Sequence, residues 1–237
     1  MVAISNAYGF VFLKTRKTAG TSIERFLLPF CTDPDSEKTH ENLQENHAFD
    51  KDRGAAPDGW RPHIPAKRAR NRLGHEKWQR YFRFTAVRNP FDRVISHFFW
   101  LRRHEASLKH QAFHEVREVF KRFCIQSNYA TDKDIVTIGN ELVVEDAIRF
   151  EHLNDDIYRI GKQLGLDVPE ISLPKINAGI REWNGMAVPD FFDQESIDAV
   201  RRSMEWVFDN FGYSEDPRDQ TTPPPFPEIE SRRDAIT

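Results

Sequence analysis

Phe10-Val11-Phe12-Leu13-Lys14-Thr15-Arg16-Lys17-Thr18-Ala19-Gly20-Thr21-Ser22-Ile23-Glu24 changes character part-way along. The first four residues are apolar and β-prone, as a buried strand requires. The middle is a turn crowded with cations and hydroxyls. Thr21-x-x-Glu24 then has the form of a capping box and opens a helix with Ile23, Phe26 and Leu27 on its apolar face. Strand, cationic turn and helix N-terminus together suit an anion. The first helical N–H groups lack intrahelical acceptors, and the helix dipole favours negative charge there. Lys17, Thr18, Thr21 and Ser22 add side-chain donors, and Gly20 lets the backbone come close to a ligand. Without a ligand, the same residues read as a surface turn with a solvated charge cluster.

The spacing excludes the standard nucleotide loop. G-x-x-x-x-G-K-[ST] needs two glycines before its lysine. Here Lys17 precedes Gly20, and no glycine lies between Gly9 and Gly20. A second stretch, Phe82-Arg83-Phe84-Thr85-Ala86-Val87-Arg88-Asn89-Pro90-Phe91-Asp92-Arg93-Val94-Ile95-Ser96, repeats the order strand, turn, helix. Residues 82–87 are β-prone. Asn89-Pro90 ends that strand and sets a helix with proline in its first turn. Arg88 then falls at the strand's C-terminal end, the edge where open α/β sheets bind nucleotides. Its guanidinium can grip a phosphate in bidentate fashion, and Ser96 can add a hydroxyl donor. Arg93 reads as a buttress of the helix start, paired with Asp92 or an acid of the tail.

Lys17-Thr18-Ala19-Gly20-Thr21-Ser22 resembles the 5′-phosphosulfate loop of sulfotransferases that use PAPS (3′-phosphoadenosine 5′-phosphosulfate). V-R-N-P-x-D-R-x-x-S, from Val87 to Ser96, is similar to their 3′-phosphate motif. The likeness is closest to the branch with P-K-T-A-G-T-S, which holds the heparan and dermatan 2-O-sulfotransferases and many bacterial relatives. Arg16 stands where that branch usually has proline. The likeness runs over residues 8–213, with weaker matches at Arg149-Phe150-Glu151-His152-Leu153, Leu173–Asn177 and Phe211-Gly212-Tyr213.

The resemblance implies a three-layer, P-loop-like α/β fold with a central, mostly parallel sheet flanked by helices. It implies that Lys17 lies beside the bridging oxygen between sulfur and the 5′-phosphate. Arg16, Thr18, Ala19, Gly20, Thr21 and Ser22 complete that loop, and Arg88, Ser96 and Lys175 reach the 3′-phosphate. The implied reaction is in-line sulfuryl transfer from PAPS to a hydroxyl, which needs positioning and charge stabilisation and no metal. A carbohydrate is the first choice of acceptor; a lipid, a small metabolite or a peptide tyrosine stays open.

The family resembled also has a histidine in an H-x-x-A pattern, roughly one helix before the second strand, that takes the proton from the acceptor. His63-x-x-Ala66 matches, within Trp60-Arg61-Pro62-His63-Ile64-Pro65-Ala66. An imidazole suits the task because its unperturbed pKa is ~6.5. Nine histidines occur in the chain. Position relative to both loops therefore singles out His63, with His47 and His75 as competitors.

Composition fits one α/β domain, with 39% hydrophobic and 30% charged residues in 237. The net charge of −3 is unevenly spread. Residues 61–109 hold thirteen Lys/Arg against three Asp/Glu, so that stretch is +10 and the remainder −13. Such a basic patch expects an anionic partner. A pI near 6.3 argues against general nucleic-acid binding. Cys31 and Cys124 form no metal or disulfide pattern. Neither a signal peptide nor a stretch of transmembrane length is found. The Golgi relatives carry an N-terminal anchor, and this chain begins almost at its first core strand, which points to a cytoplasmic, bacterial enzyme.

Residues 1–213 are expected to form the domain. Residues 32–59 are polar and without periodicity, an insertion for which a lid and a role-free excursion are both open. Helices are expected at Lys67–Leu73, Glu76–Tyr81, 91–104, 112–126, Asn154–Leu164 and Gln194–Phe211. The aromatics of 91–104 read as core and adenine-side packing. Asp134–Gly139 reads as a strand and turn, and Glu141–Ile148 is ambiguous between helix and strand. Arg149 and Glu151 read as paired or positioning residues. From Ser214 a proline-rich tail should be extended or disordered. Two rivals remain, a nucleotide-dependent small-molecule kinase and a non-catalytic polyanion-binding module. The first predicts Mg²⁺ dependence, the second steep salt dependence without preference for a 3′-phosphate.

Overall fold

Alternate residues of Phe10–Leu13 point to opposite faces of a sheet, and each face carries its own core. The computed structural model describes residues 2–31, 60, 62–105, 111–168 and 185–225. In chain order it runs β1 (Ala3–Ser5), β2 (Phe10–Leu13), α1 (Gly20–Leu27), α2 (Ala66–Leu73), α3 (His75–Arg80), β3 (Phe82–Val87) and α4 (Pro90–Leu101). It continues with α5 (Phe113–Ile125), α6 (Lys133–Val136), β4 (Thr137–Ile138), β5 (Glu141–Leu142), β6 (Asp146–Arg149), α7 (Leu153–Leu164) and α8 (Gln194–Phe211). The main sheet has the order β1-β2-β3-β6. β1 is antiparallel to β2, whereas β2, β3 and β6 are parallel to one another. β4 and β5 form a separate hairpin. The fold is thus mixed α/β, with a mostly parallel central sheet and helices on both faces.

One face buries Phe10, Phe12, Phe84 and Ile148 against Ile23 and Leu27 of α1 and Ile157 and Ile160 of α7. The other buries Val11, Leu13 and Val87 with α2, α3, α4, α5 and α8. All four residues of β2 are buried, as a parallel strand covered on both sides demands. The stripe Phe113, Val116, Phe120 and Phe123 of α5 is core or packed against it. Phe98 of α4 meets Phe120 and Phe123 edge-on, with ring centroids 5.3 Å apart in each pair. α7 and α8 both stop at a left-handed glycine, Gly165 and Gly212.

Three expectations change. The Thr21-x-x-Glu24 capping box is not made. The helix is capped two residues earlier, at Ala19, and the Glu24 carboxylate instead pairs with Lys14 Nζ at 2.5 Å. Asp134–Gly139 is not one strand. Lys133–Val136 closes a helical turn, and only Thr137–Ile138 is extended. The ambiguous Glu141–Ile148 resolves into two strands, β5 and the start of β6.

Ser214–Pro225 carries no helix or strand. Pro223 is buried, and its carbonyl accepts from Arg149 Nη1 at 2.6 Å. No helix among the described residues is long and apolar enough to cross a membrane. The register sets Leu13 beside Thr85 and Val87 beside Arg149. The three parallel strands therefore end along one edge, and the loops that follow them meet there.

Candidate functional site

The β2–α1 loop is bent by two non-glycine residues in the left-handed region, Lys17 (φ 64°) and Ala19 (φ 60°). Such backbone is strained and persists only where its surroundings fix it. Thr15 and Thr18 fix it from below. Thr15 Oγ1 bonds the Ala86 carbonyl of β3 at 2.5 Å and Thr18 Oγ1 at 2.9 Å. Gly20 allows the chain to cross over Lys14. A Cβ there would lie 2.8 Å from Lys14 Cγ and 3.2 Å from the Thr15 carbonyl oxygen. Ser22 N–H and Ile23 N–H both turn back to the Ala19 carbonyl, at 2.8 and 3.1 Å. The N–H groups of Gly20 and Thr21 precede those first bonds and point out of the helix end.

A buried ion pair grips the same loop from the other side. Asp132, with no exposed side-chain surface, accepts from Arg16 N–H at 2.6 Å and pairs with the Arg16 guanidinium. Its second charged partner is Arg93 of α4, with 3% of its side chain exposed. Arg93 also donates to the Arg16 carbonyl at 3.0 Å and to the carbonyls of Ala130 and Thr131. Burial pulls the Arg93 guanidinium down, and Asp132 opposes that. Among the described residues its acid is Asp132, not Asp92, which pairs with Arg88, and not an acid of the tail.

The β3–α4 junction is built differently. Pro90 opens the helix, and Asn89 Oδ1 caps it by accepting from Phe91 N–H at 3.0 Å and Asp92 N–H at 3.4 Å. Asn89 N–H is in turn held by Glu151 Oε1 at 2.8 Å, and Glu151 Oε2 accepts from Tyr213 Oη at 2.7 Å. Arg88 is clamped by Asp92 (2.6–2.8 Å), lies 3.9 Å from the Phe150 ring centre, and donates to the Lys17 carbonyl at 3.1 Å. From Pro90 to Trp100, α4 buries every residue except Asp92, Ser96 and Trp100. That i, i+4, i+8 row is one face of the helix, and it turns toward the loop. Asp92 meets Arg88 there, and the Trp100 ring lies 5.4 Å from Lys17 Nζ. Arg103 stacks on the same ring at 4.3 Å. Burial, then Arg88, then Arg103 lower the Lys17 pKa to about 8. No carboxylate among the described residues pairs with Lys17. A cation held beside other cations makes a locally positive field, which favours an anion.

His63, itself left-handed (φ 60°), sits behind the loop. Its Nδ1 lies 2.8 Å from the Lys14 carbonyl, so Nδ1 carries the proton and Nε2 presents a lone pair. Burial lowers its pKa to about 4 despite that bond, with Arg16 adding to the fall. His97, one turn after Arg93 on α4, is 5% exposed and makes no hydrogen bond among the described residues. Burial, then Arg93, lowers its pKa to about 4, with Lys17 and Arg16 also nearby.

The structure thus brings Arg16, Lys17, Thr18, Ala19, Gly20, Thr21, Ser22, Arg88, Ser96 and His63 to one edge. Lys175 and His47 lie outside the described residues, as does the 32–59 insertion. His75 instead opens α3, exposed. Two helices, not one, separate His63 from β3. The Thr18 hydroxyl is spent inside the loop on Thr15, so only its backbone faces outward chemistry. Arg16 spends its guanidinium on Asp132. Sequence reasoning missed Asp132, Trp100 and His97. For Trp100 the i+4, i+8 spacing from Ser96 and Asp92 was the available signal; for Asp132 there was none. Arg149 pairs with Asp156 rather than Glu151, at 2.7 Å.

No curated protein and no solved structure matches this chain. A family model described as "Sulfotransferase family" does match, over residues 1–143, which holds β1 to β5, both strand–turn–helix loops, His63 and Asp132. That span is more than half of the 237 residues and contains the whole cation cluster. The chain belongs to the sulfotransferase family.

Proposed function

We propose that this protein transfers the sulfuryl group of PAPS to a hydroxyl acceptor, with a carbohydrate as the first candidate. The observation that carries the reading is the convergence of Lys17, Arg88 and the outward N–H groups of Gly20 and Thr21 on one sheet edge, with no carboxylate among the described residues paired to Lys17. That donor set fits a ligand with two separated phosphates. The loop would take the 5′-phosphate, through Gly20 and Thr21 N–H and the Thr21 and Ser22 side chains. Arg88, already oriented by Asp92, and Ser96, on the same face of α4, would take the 3′-phosphate. When bound, PAPS supplies an activated sulfuryl group with a nucleotide leaving group.

Lys17 would stabilise the negative charge that develops on the leaving oxygen. His63 would accept the acceptor's hydroxyl proton at Nε2, because the Lys14 carbonyl holds the other proton at Nδ1. The overall architecture would be the P-loop-like three-layer form, with Lys175 as a further contact to the 3′-phosphate. A cytoplasmic setting and a place in the carbohydrate branch remain part of the proposal.

Calorimetric titration with PAP (adenosine 3′,5′-bisphosphate), ADP and AMP, with and without Mg²⁺, tests the reading. Metal-independent binding of PAP that is largely lost for AMP and ADP is expected. Equal binding of all three, or ADP binding that needs Mg²⁺, overturns it in favour of a kinase. Salt-sensitive binding of polyanions without a preference for PAP overturns it in favour of the binding module.

A further inference from the structure

We infer that Asp132, with Arg93, is the positioning device of the phosphate loop, acting through Arg16 rather than on the ligand itself; this rests on the sulfotransferase reading. Three polar features of Arg16 are captured by the pair. Its N–H and guanidinium go to Asp132, and its carbonyl goes to Arg93 Nε at 3.0 Å. The next residue, Lys17, is the first left-handed one in the loop. A residue whose donor and acceptor are both fixed by side chains from distant elements cannot relax to release that strain. Asp132 is left-handed as well, at φ 61°, and its segment is tied down by the Ala130 and Thr131 carbonyls, which accept from Arg93. Trp206 of α8 adds a bond to the Thr131 carbonyl at 2.9 Å. The loop is therefore bolted through α4 to α8.

The arrangement has a chemical consequence for Arg16. Its guanidinium is the charge that the sequence offers to the cofactor, but here it is bonded to Asp132, which it shares with Arg93. Arg16 is thus a structural partner, and the ligand-facing cation of the loop is Lys17. Asp132 touches no reacting atom and is a positioning residue.

The test is calorimetric binding of PAP, adenosine 5′-monophosphate and adenosine 3′-monophosphate to the full chain and its variants. Asp132→Asn should weaken PAP and the 5′-monophosphate by about tenfold or more, the scale of losing charge-assisted bonds. The 3′-monophosphate, which does not use the loop, should change by less than about twofold. A merely structural role would weaken both monophosphates alike, and that outcome overturns the inference. Should Asp132→Asn fail to fold with Arg93 left uncompensated, the double variant D132N/R93M removes both buried charges, and the same split is required of it. Arg16→Ala tests the point from a half-exposed side chain. It leaves the backbone bonds to Asp132 and Arg93 in place, so its loss should be smaller than that of Asp132→Asn. A loss as large or larger would make the Arg16 guanidinium a ligand contact and overturn the inference. Wild-type protein that binds none of the three nucleotides would instead remove the sulfotransferase reading itself, and the inference with it.

Discussion

The β2–α1 loop and the β3–α4 junction leave the same edge of the same sheet and each feeds a helix, yet they treat their backbone in opposite ways. At the β3–α4 junction Asn89 closes the helix end with its own side chain, Pro90 removes one N–H, and every described residue from 82 to 101 avoids the left-handed region. In the β2–α1 loop no side chain caps the helix, and Lys17 and Ala19 are both left-handed. The first helix end keeps donors free; the second has spent them. The proposed anion binding at the β3–α4 junction would therefore come from side chains, Arg88 and Ser96, whereas the β2–α1 loop could use its backbone. Relaxed, self-satisfied structure supports one, and imposed strain supports the other.

The largest way to probe that contrast is at His63, the proposed base held beside the strained loop. His63→Ala should lower kcat by about 10²–10⁴ while PAP affinity stays nearly intact. Single-turnover assays with PAPS and calorimetry with PAP would check this. Near-normal turnover would transfer attention to His97, whose Ala variant is the paired control. Next, Arg88→Ala should weaken PAP by roughly 10–100-fold, as expected for lost hydrogen bonds to a charged group. AMP, without the 3′-phosphate, should lose much less.

The pH profile gives a third probe. Lys17 is charged below a pKa of about 8, so PAP affinity should hold at neutral pH and fall as pH rises through 8. His63 is neutral above a pKa of about 4, so turnover should fall only as pH drops toward that value. In Arg88→Ala a cation that depresses Lys17 is gone, and the alkaline limb should move upward. An unmoved limb would assign it to another group. Stability should follow the histidines too. Folded pKa values of about 4 lie below the unfolded value, so the unfolded chain binds more protons and stability falls as pH drops from about 6.5 toward 4.

The smallest effects compare the two helix starts directly by urea midpoint. Asn89→Ala should cost about 0.5–2 kcal/mol, because Phe91 and Asp92 N–H groups lose their acceptor. Ala19→Gly should be neutral or slightly stabilising, since relief of a left-handed residue, worth ~1–2 kcal/mol, opposes the added chain entropy. A clear loss at Ala19 would mean that the loop is not strained in the way its dihedral implies.

Charge shows how far the sequence could be read. Residues 61–109 carry a +10 excess, but much of it is not a patch. Arg80 and Arg102 pair with Glu76 and Glu105, acids already inside that count, while Arg83 pairs with Glu145 and Arg93 with Asp132. Two of those acids lie outside the stretch, brought back by β6 and the α5–α6 connection. A linear count sees cations; the fold turns Arg83 and Arg93 into internal struts and leaves Arg88 and Arg103 beside Lys17 at the candidate site. The departure from proline at Arg16 is explained in the same way. Proline fixes its own φ and lacks an N–H, whereas Arg16 needs its N–H for Asp132.

The sequence by itself determined the strands β2 and β3, both strand–turn–helix loops and the long helices. Each rests on neighbours within a few residues: apolar runs, i+4 spacing, Asn-Pro at a helix start, Gly at a helix end. It also selected His63 by position. Only the tertiary structure decided which acid holds Arg93, which carbonyl orients His63, that Glu24 serves Lys14, and that Trp100 faces the loop. Those choices join residues as far as 116 positions apart, Arg16 and Asp132. Periodicity carries no information at that range, because the partner is set by how the sheet and helices pack.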